Sequence, residues 1–348
     1  VSGAPDRGVR ATGDARRLAL ALAVLGGVLL AAGVVALFVG SAALSPAAVA
    51  RALSGRADAA SVESVVTLGL RLPRVAAAVL AGGALAVAGV GFQALTRNPL
   101  AEPSVLGVSS GAAFGVVLAQ ILGLQTGLVA AVGVAAFAFA GALLAAGIVY
   151  VVARAPAGLA VQTLLLAGVI VGIFFSAAIT VIISIVDFNR LSGVIHWLLG
   201  NLAPLPSASL ALFAVLAGVG VWLMVRHARE LNLLALGEEA ATQLGVDAER
   251  LKRRVFAAAA LLTGTVVAFT GPIGFVGLIV PHVLRGIVGQ DNRLLVPTSA
   301  VAGAVFLLAA DTLARNVVAP AELSVGVITA FCGAPFFVWV LRARARPA

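Results

Sequence analysis

Apolar runs of about 20 residues recur along the whole of this 348-residue chain, and each is long enough to cross the roughly 30 Å of hydrocarbon in a bilayer. Nothing else in the sequence restricts the fold as strongly. In lipid every backbone N–H and C=O has to be satisfied inside the protein, which leaves helical bundles and closed barrels, and runs of this length are helical. Only 11% of the residues are charged and mean hydropathy is +1.13, against about 25% charged residues in a soluble domain. Thirty-nine glycines, with abundant alanine, suit close helix–helix approach. The sequence therefore reads as all-α, a polytopic membrane protein of about ten transmembrane helices.

The expected spans are 18–40, 72–95, 104–123, 128–153, 163–186, 208–226, 253–271, a short one at 275–288, 294–314 and 324–341, with a further short surface helix at 190–201. The polar stretch 1–17 reads as a cytoplasmic tail. The run after it is too long for a signal-peptide core and counts as the first span. Residues 18–342 form one transmembrane domain and 343–348 a second cytoplasmic tail. Positive charge sets the orientation. With both termini inside, sixteen of the 23 Lys and Arg fall on the inner side and six on the outer: Arg51, Arg56, Arg71, Arg74, Arg190 and Arg315. Arg285 is assigned to neither. The pI near 11.5 does not indicate nucleic-acid binding, because the basic residues flank spans and form no stripe on a soluble face. The single cysteine, Cys332, is expected to pack.

Arg97 to Gly111 is a polar, turn-rich segment between two apolar runs. Pro99 and Pro103 each lack an N–H and restrict the residue before them, so the helix breaks there. Non-helical backbone at membrane depth must line water or lie buried in protein. The segment is thus either a gate or a plain inter-helix turn. Asn98-x-Leu100-x-x-Pro103-Ser104 recurs as Asn292-x-Leu294-x-x-Pro297-Thr298. The recurrence reads as two weakly related halves, as in many transporters, or as chance in an Ala/Leu-rich chain. The widest inner loop, 226–254, holds a short helix between Gly237 and Gly245. Ala240, Ala241 and Leu244 form a narrow apolar face, and Glu238 and Glu239 suit the positive end of the helix dipole. Such a helix either docks a partner or packs on its own bundle. Asp311 and Arg315 are four residues apart on one helix and could pair; otherwise Asp311 is a proton-relay candidate. The outer arginines, taken alone, could be snorkelling anchors.

Six collinear motifs, from about residue 65 to 341, resemble the FecCD-type permeases, the membrane subunits of ABC importers for ferric siderophores, haem and cobalamin. They are Leu70–Arg74, Gln93–Pro103, Leu164–Gly168, Ala235–Gly245, Gly274–His282 and Gly333–Phe336. The resemblance implies ten spans, a second permease copy, two cytoplasmic ABC ATPase subunits and a periplasmic binding protein, in a bacterial inner membrane. It implies that residues 235–246, with Gly237, Glu238, Glu239, Ala240, Leu244 and Gly245, form the coupling helix to the ATPase. Asn98, Leu100, Val161 and Gln162 become the cytoplasmic gate, although the family often has small hydroxyl residues where Val161 and Gln162 stand. Arg71, Arg74 and Arg315 become docking residues for glutamates of the binding protein. Glu322-Leu-Ser-Val-Gly326 also departs from the family's usual Glu-Leu-Pro-x-Gly.

The sequence contains no GxxxxGK[ST] motif, so ATP and Mg belong to a partner and no cofactor or metal is expected on this chain. Pathway candidates are Asp187, Arg190, His196 and Trp197, beside the fifth span. The reading from a different class is a secondary transporter driven by an ion gradient.

Overall fold

The structure, a computed structural model, describes residues 7–40, 42, 44–123, 130–156, 158–185, 192–318 and 321–344. Along the chain run α1 (Arg7–Phe38), α2 (Pro46–Leu53), α3 (Val62–Ser64), a π-helical stretch (Val65–Arg71), α4 (Leu72–Thr96), a 3₁₀ turn (Pro103–Leu106), α5 (Val108–Ile121), α6 (Ala130–Ala153), β1 (Arg154–Ala155) and β2 (Gly158–Leu159). They are followed by α7 (Val161–Ile185), α8 (Ser192–Leu198), α9 (Ser207–Arg226), α10 (Ala228–Ala235), α11 (Glu238–Gln243), α12 (Ala248–Thr270), α13 (Val276–Val288), α14 (Asn292–Asn316) and α15 (Val325–Arg344). Eight helices among the described residues are long and apolar enough to cross a membrane, and α5 and α13 are shorter apolar helices. These match the ten expected spans one for one.

The axis of the bundle is α4, whose residues from Ala81 to Leu95 are all buried. A helix apolar on every face has to be surrounded, and α4 packs against α14, α12, α13 and α9. Small residues set the distances. A Cβ on Gly82 would sit 2.2 Å from the carbonyl oxygen of Gly303, so α4 and α14 touch backbone to backbone. Gly111 and Gly141 do the same for α5 and α6. Such contacts replace the hydrophobic drive that lipid does not supply.

Several expected boundaries change, for physical reasons. Helix α1 begins at Arg7, inside the expected tail. The second span is helical from Val62. Pro73 has no N–H for the turn before it, and the π-helical stretch immediately upstream accommodates that gap. The third span is not continuous, because Gly107 takes φ 71° and lies against α7, where a Cβ would meet the Gly168 oxygen at 3.0 Å. The two Asn-x-Leu-x-x-Pro copies share residues but not conformation. Asn98 lies outside any helix and Pro103 opens a 3₁₀ turn, whereas Asn292 is the first residue of α14 and Pro297 lies inside it. Cys332 is exposed on α15 and does not pack in the core.

Candidate coupling and gate site

At one end of the bundle, α10 and α11 form a small projecting unit. Gly237 and Gly245 bracket α11 with φ 118° and 84°, conformations that only glycine adopts cheaply. Glu238 and Glu239 occupy the first turn. The expected apolar face divides in two. Ala241 is buried against the bundle, while Leu244 is 59% exposed and Leu236, just before the helix, 68%. Two bare leucines therefore flank an acidic surface of Glu238, Glu239, Asp247 and Glu249, which lines an open depression of about 750 Å³. The unit is anchored at its root. Asn232 on α10 donates to Asp291 at 2.6 Å and accepts from Asn292 N–H at 2.8 Å, which ties α10 to the start of α14.

Lys252 on α12 is buried and lies under α11. Its Nζ donates to Glu238 at 2.9 Å, to the carbonyl of Leu159 at 3.0 Å, and to Glu249. Glu249 in turn accepts the N–H of Leu159 at 2.8 Å. Leu159 is the last residue of the β1–β2 hairpin, in which Arg154 pairs with Leu159 and Ala155 with Gly158. Helix α7 begins two residues later, with Val161 half-buried and Gln162 exposed.

The second candidate gate element follows α4. Arg97 ends that helix in the left-handed region at φ 50°, and the N–H of Asn98 returns to the Gln93 carbonyl at 3.1 Å. The Asn98 side chain accepts from Leu100 N–H at 2.9 Å, a local Asx turn. Arg97 reaches toward α11, with its Nη1 at 3.9 Å from a Cβ placed on Gly237. Among the described residues no hydrogen bond or ion pair joins Asn98–Leu100 to Val161 or Gln162.

Glu102, in the same turn, makes a long-range contact. Its carboxylate accepts the N–H of Phe275 at 2.5 Å. Phe275 has φ 68° and precedes α13, so Glu102 satisfies an N–H that a broken helix leaves unpaired. Burial pushes the Glu102 carboxyl above the ordinary range, outweighing the lowering by Phe275 N–H and Ser104. Gln93 donates to the Gly277 carbonyl at 3.1 Å and accepts from Arg285. Glu102, Lys252 and the Gln93–Arg285 pair were absent from the sequence-derived site. A signal existed for Lys252, which is the only lysine of the chain.

At the opposite end the three expected docking arginines are buried, which excludes snorkelling anchors. Arg71 is 4%, Arg74 8% and Arg315 3% exposed. Asp311, wholly buried, pairs with Arg74 at 2.9 Å and with Arg315 at 3.1 Å, so the i, i+4 pairing exists. Arg74 also reaches Glu322 at 2.6 Å. Arg71 donates to the carbonyls of Leu37 at 2.7 Å and Ala42 at 2.6 Å, where it caps the end of α1. The three guanidiniums line a pocket of about 280 Å³ with Glu322 and Pro204.

Of the pathway candidates, Asp187 and Arg190 lie outside the described residues. His196 is within α8, and its side chain also lies outside them. The surface helix ends at Leu198, short of the expected 201. Trp197 is half-buried against the core, and its carbonyl accepts Gly200 N–H at 3.1 Å.

A polytopic helical bundle with a broken turn after α4 and a short helix at one end is an architecture suited to a membrane transport subunit. Residues 28–343 match the FecCD transport family, and the chain belongs to that family, the membrane subunits of ABC importers. It is 44% identical over 277 residues to the cobalamin import system permease protein BtuC of Halobacterium salinarum, covering 79% of this chain and 73% of that one. It is 41% identical over 278 residues to the hemin transport system permease protein HmuU of Yersinia pestis, covering 79% and 83%. It is 42% identical over 277 residues to the ABC transporter permease protein YvrB of Bacillus subtilis, covering 79% and 78%. A solved inward-facing structure of a metal-chelate type ABC transporter superposes with a TM-score of 0.80 at 30% identity, over 93% of this chain and 99% of the other.

Proposed function

We propose that two copies of this chain form the permease of an ATP-driven importer that moves haem, a ferric siderophore or cobalamin from periplasm to cytoplasm. Two ABC ATPase subunits hold the ATP and Mg and dock on α11, and a periplasmic binding protein delivers the substrate at the opposite end. Both termini then face the cytoplasm of a bacterial inner membrane. The observation that carries this reading is α11 itself, held out between two left-handed glycines with exposed Leu236 and Leu244 on an acidic surface. The relatives that carry cobalamin and hemin support the substrate class. At the other end Arg74 and Arg315 pair with Asp311 and Glu322 while Arg71 bonds backbone carbonyls, and this excess of positive charge suits acidic groups on a binding protein. Asn98–Leu100 of the two copies meet and close the pathway on the cytoplasmic side. A gradient-driven carrier is the weaker reading, because Asp311 is locked between Arg74 and Arg315 and is not free to relay protons.

The experiment is reconstitution in proteoliposomes with the ATPase and binding protein. Uptake should require all three components and ATP. Uptake driven by a proton or sodium gradient without the ATPase would reject the proposal. Mass spectrometry of the ligand retained by the purified binding protein then names the chelate.

A further inference from the structure

The only lysine in a chain with 23 Lys and Arg sits buried where three elements meet. An ammonium has three N–H donors and no acceptor, and Lys252 has one acceptor for each: Glu238 at 2.9 Å, the Leu159 carbonyl at 3.0 Å, and Glu249. The acceptors diverge. One belongs to α11, one to the β1–β2 hairpin and one to the first turn of α12. A guanidinium presents its donors in a flat fork and cannot serve the same three directions, which gives a physical reason for lysine where every other basic residue is arginine. The hairpin is clamped on both sides of Leu159, since Glu249 accepts its N–H at 2.8 Å. Gly158 closes the clamp: at φ 115° a Cβ there would lie 2.3 Å from the Glu249 carboxyl. Beyond Leu159 the chain runs directly into α7.

We propose that Lys252 is the positioning residue that ties the ATPase-docking helix α11 to the hairpin that begins α7, so that displacement of α11 moves the start of α7 with it. This rests on the importer reading. The contact is a strut and not a docking surface, because Lys252 is only 2% exposed. Its specific consequence is that α11 and the start of α7 keep a fixed separation in every nucleotide state.

The test uses the full complex of permease, ATPase and binding protein in proteoliposomes. Spin labels go on Thr242 and Thr163, both exposed, one on α11 and one in the first turn of α7. In the native chain the distance between them should be the same with and without ATP analogue. In Lys252→Met it should change between those states, ATP-driven uptake should fall at least tenfold, and the ATPase should still copurify. Lys252→Arg should lie between the two. If Lys252→Met keeps uptake within twofold and a nucleotide-independent distance, the strut is wrong while the importer reading stands. If the native complex takes up nothing on ATP, it is the importer reading that fails. Where Lys252→Met does not fold, Glu238→Ala decides on the label distance, because it removes the α11 end of the strut and leaves Lys252 held by Leu159 and Glu249. A constant label distance in that variant would overturn the proposal.

Discussion

The two ends of this molecule bury charge in opposite ways. At the end opposite α11, Asp311 is 0% exposed and sits between two guanidiniums. At the α11 end the positive group is the buried one, Lys252, and its carboxylate partners Glu238 and Glu249 are 39% and 37% exposed. The first arrangement bonds spans that stay packed, α4 to α14. The second bonds a projecting helix and a hairpin, with one side of each ion pair open to water. Where water can replace a lost partner, removing one member of the pair costs less than it does in a dry pair. The first end is therefore a dry clamp inside the bundle, and the second a linkage at its wet edge that holds two segments together as they move.

The sharpest way to break this comparison is Asp311→Ala. It leaves Arg74 and Arg315 buried with one carboxylate, Glu322, between them. Removing one member of a buried ion pair costs about 3–5 kcal/mol, and chemical unfolding in detergent micelles should show a loss of that size. Lys252→Met in the same assay should lose about 1 kcal/mol, since its half-exposed carboxylates can be rehydrated. Equal losses would erase the distinction between clamp and linkage. Arg71→Glu or Arg315→Glu would disrupt the fold before any effect on docking could be read.

The next effect in size concerns Glu102. Glu102→Ala strands the Phe275 N–H, and an orphaned buried donor costs about 1–3 kcal/mol. Glu102→Gln retains an oxygen acceptor and removes the charge. The sign of the pH dependence follows from the raised folded-state pKa. The Glu102 contribution is fully present below the ordinary carboxylate range and is lost as pH rises through the folded value. Glu102→Gln should therefore match or exceed native stability at neutral pH and flatten the pH profile, with Glu102→Ala below both. A native profile that does not fall with rising pH, or a destabilised Gln variant, would show that the carboxylate sits ionised and well compensated.

Most of the bundle was legible in the sequence, because ten apolar runs are properties of single segments. The position of α11 was also local: two glycines, two glutamates and a short helix between them. What was not legible depended on residues far apart in the chain. Glu102 meets Phe275 across 173 positions, and Lys252 meets Leu159 across 93. A periodicity cannot report such pairs. The arginines at the other end were placed on the surface because charge in a membrane chain is ordinarily at its edges, and the sequence within one helix disclosed only the Asp311–Arg315 half of the cluster. The orientation of α11 has a similar origin. Helical spacing groups Ala240, Ala241 and Leu244, but a six-residue helix between left-handed glycines is oriented by its anchors, and those anchors set Ala241 inward and leave Leu244 out.

The smallest expected effect isolates burial from chemistry. Arg74 pairs with two carboxylates at similar distance, Asp311 at 2.9 Å and Glu322 at 2.6 Å, but Glu322 is 38% exposed and Asp311 is not exposed at all. The shorter contact would be the stronger one if distance decided. If hydration decides, Glu322→Gln should cost only about 0–1 kcal/mol, since water takes over the vacated side of the guanidinium and Asp311 continues to hold it. The measurement is the same unfolding assay run on Glu322→Gln and Asp311→Asn, both of which keep shape and an acceptor oxygen. A loss for Glu322→Gln as large as that for Asp311→Asn would mean that the pocket edge at Glu322 is as dry as the bundle interior. The dry clamp would then extend to the very face where a binding protein is proposed to dock.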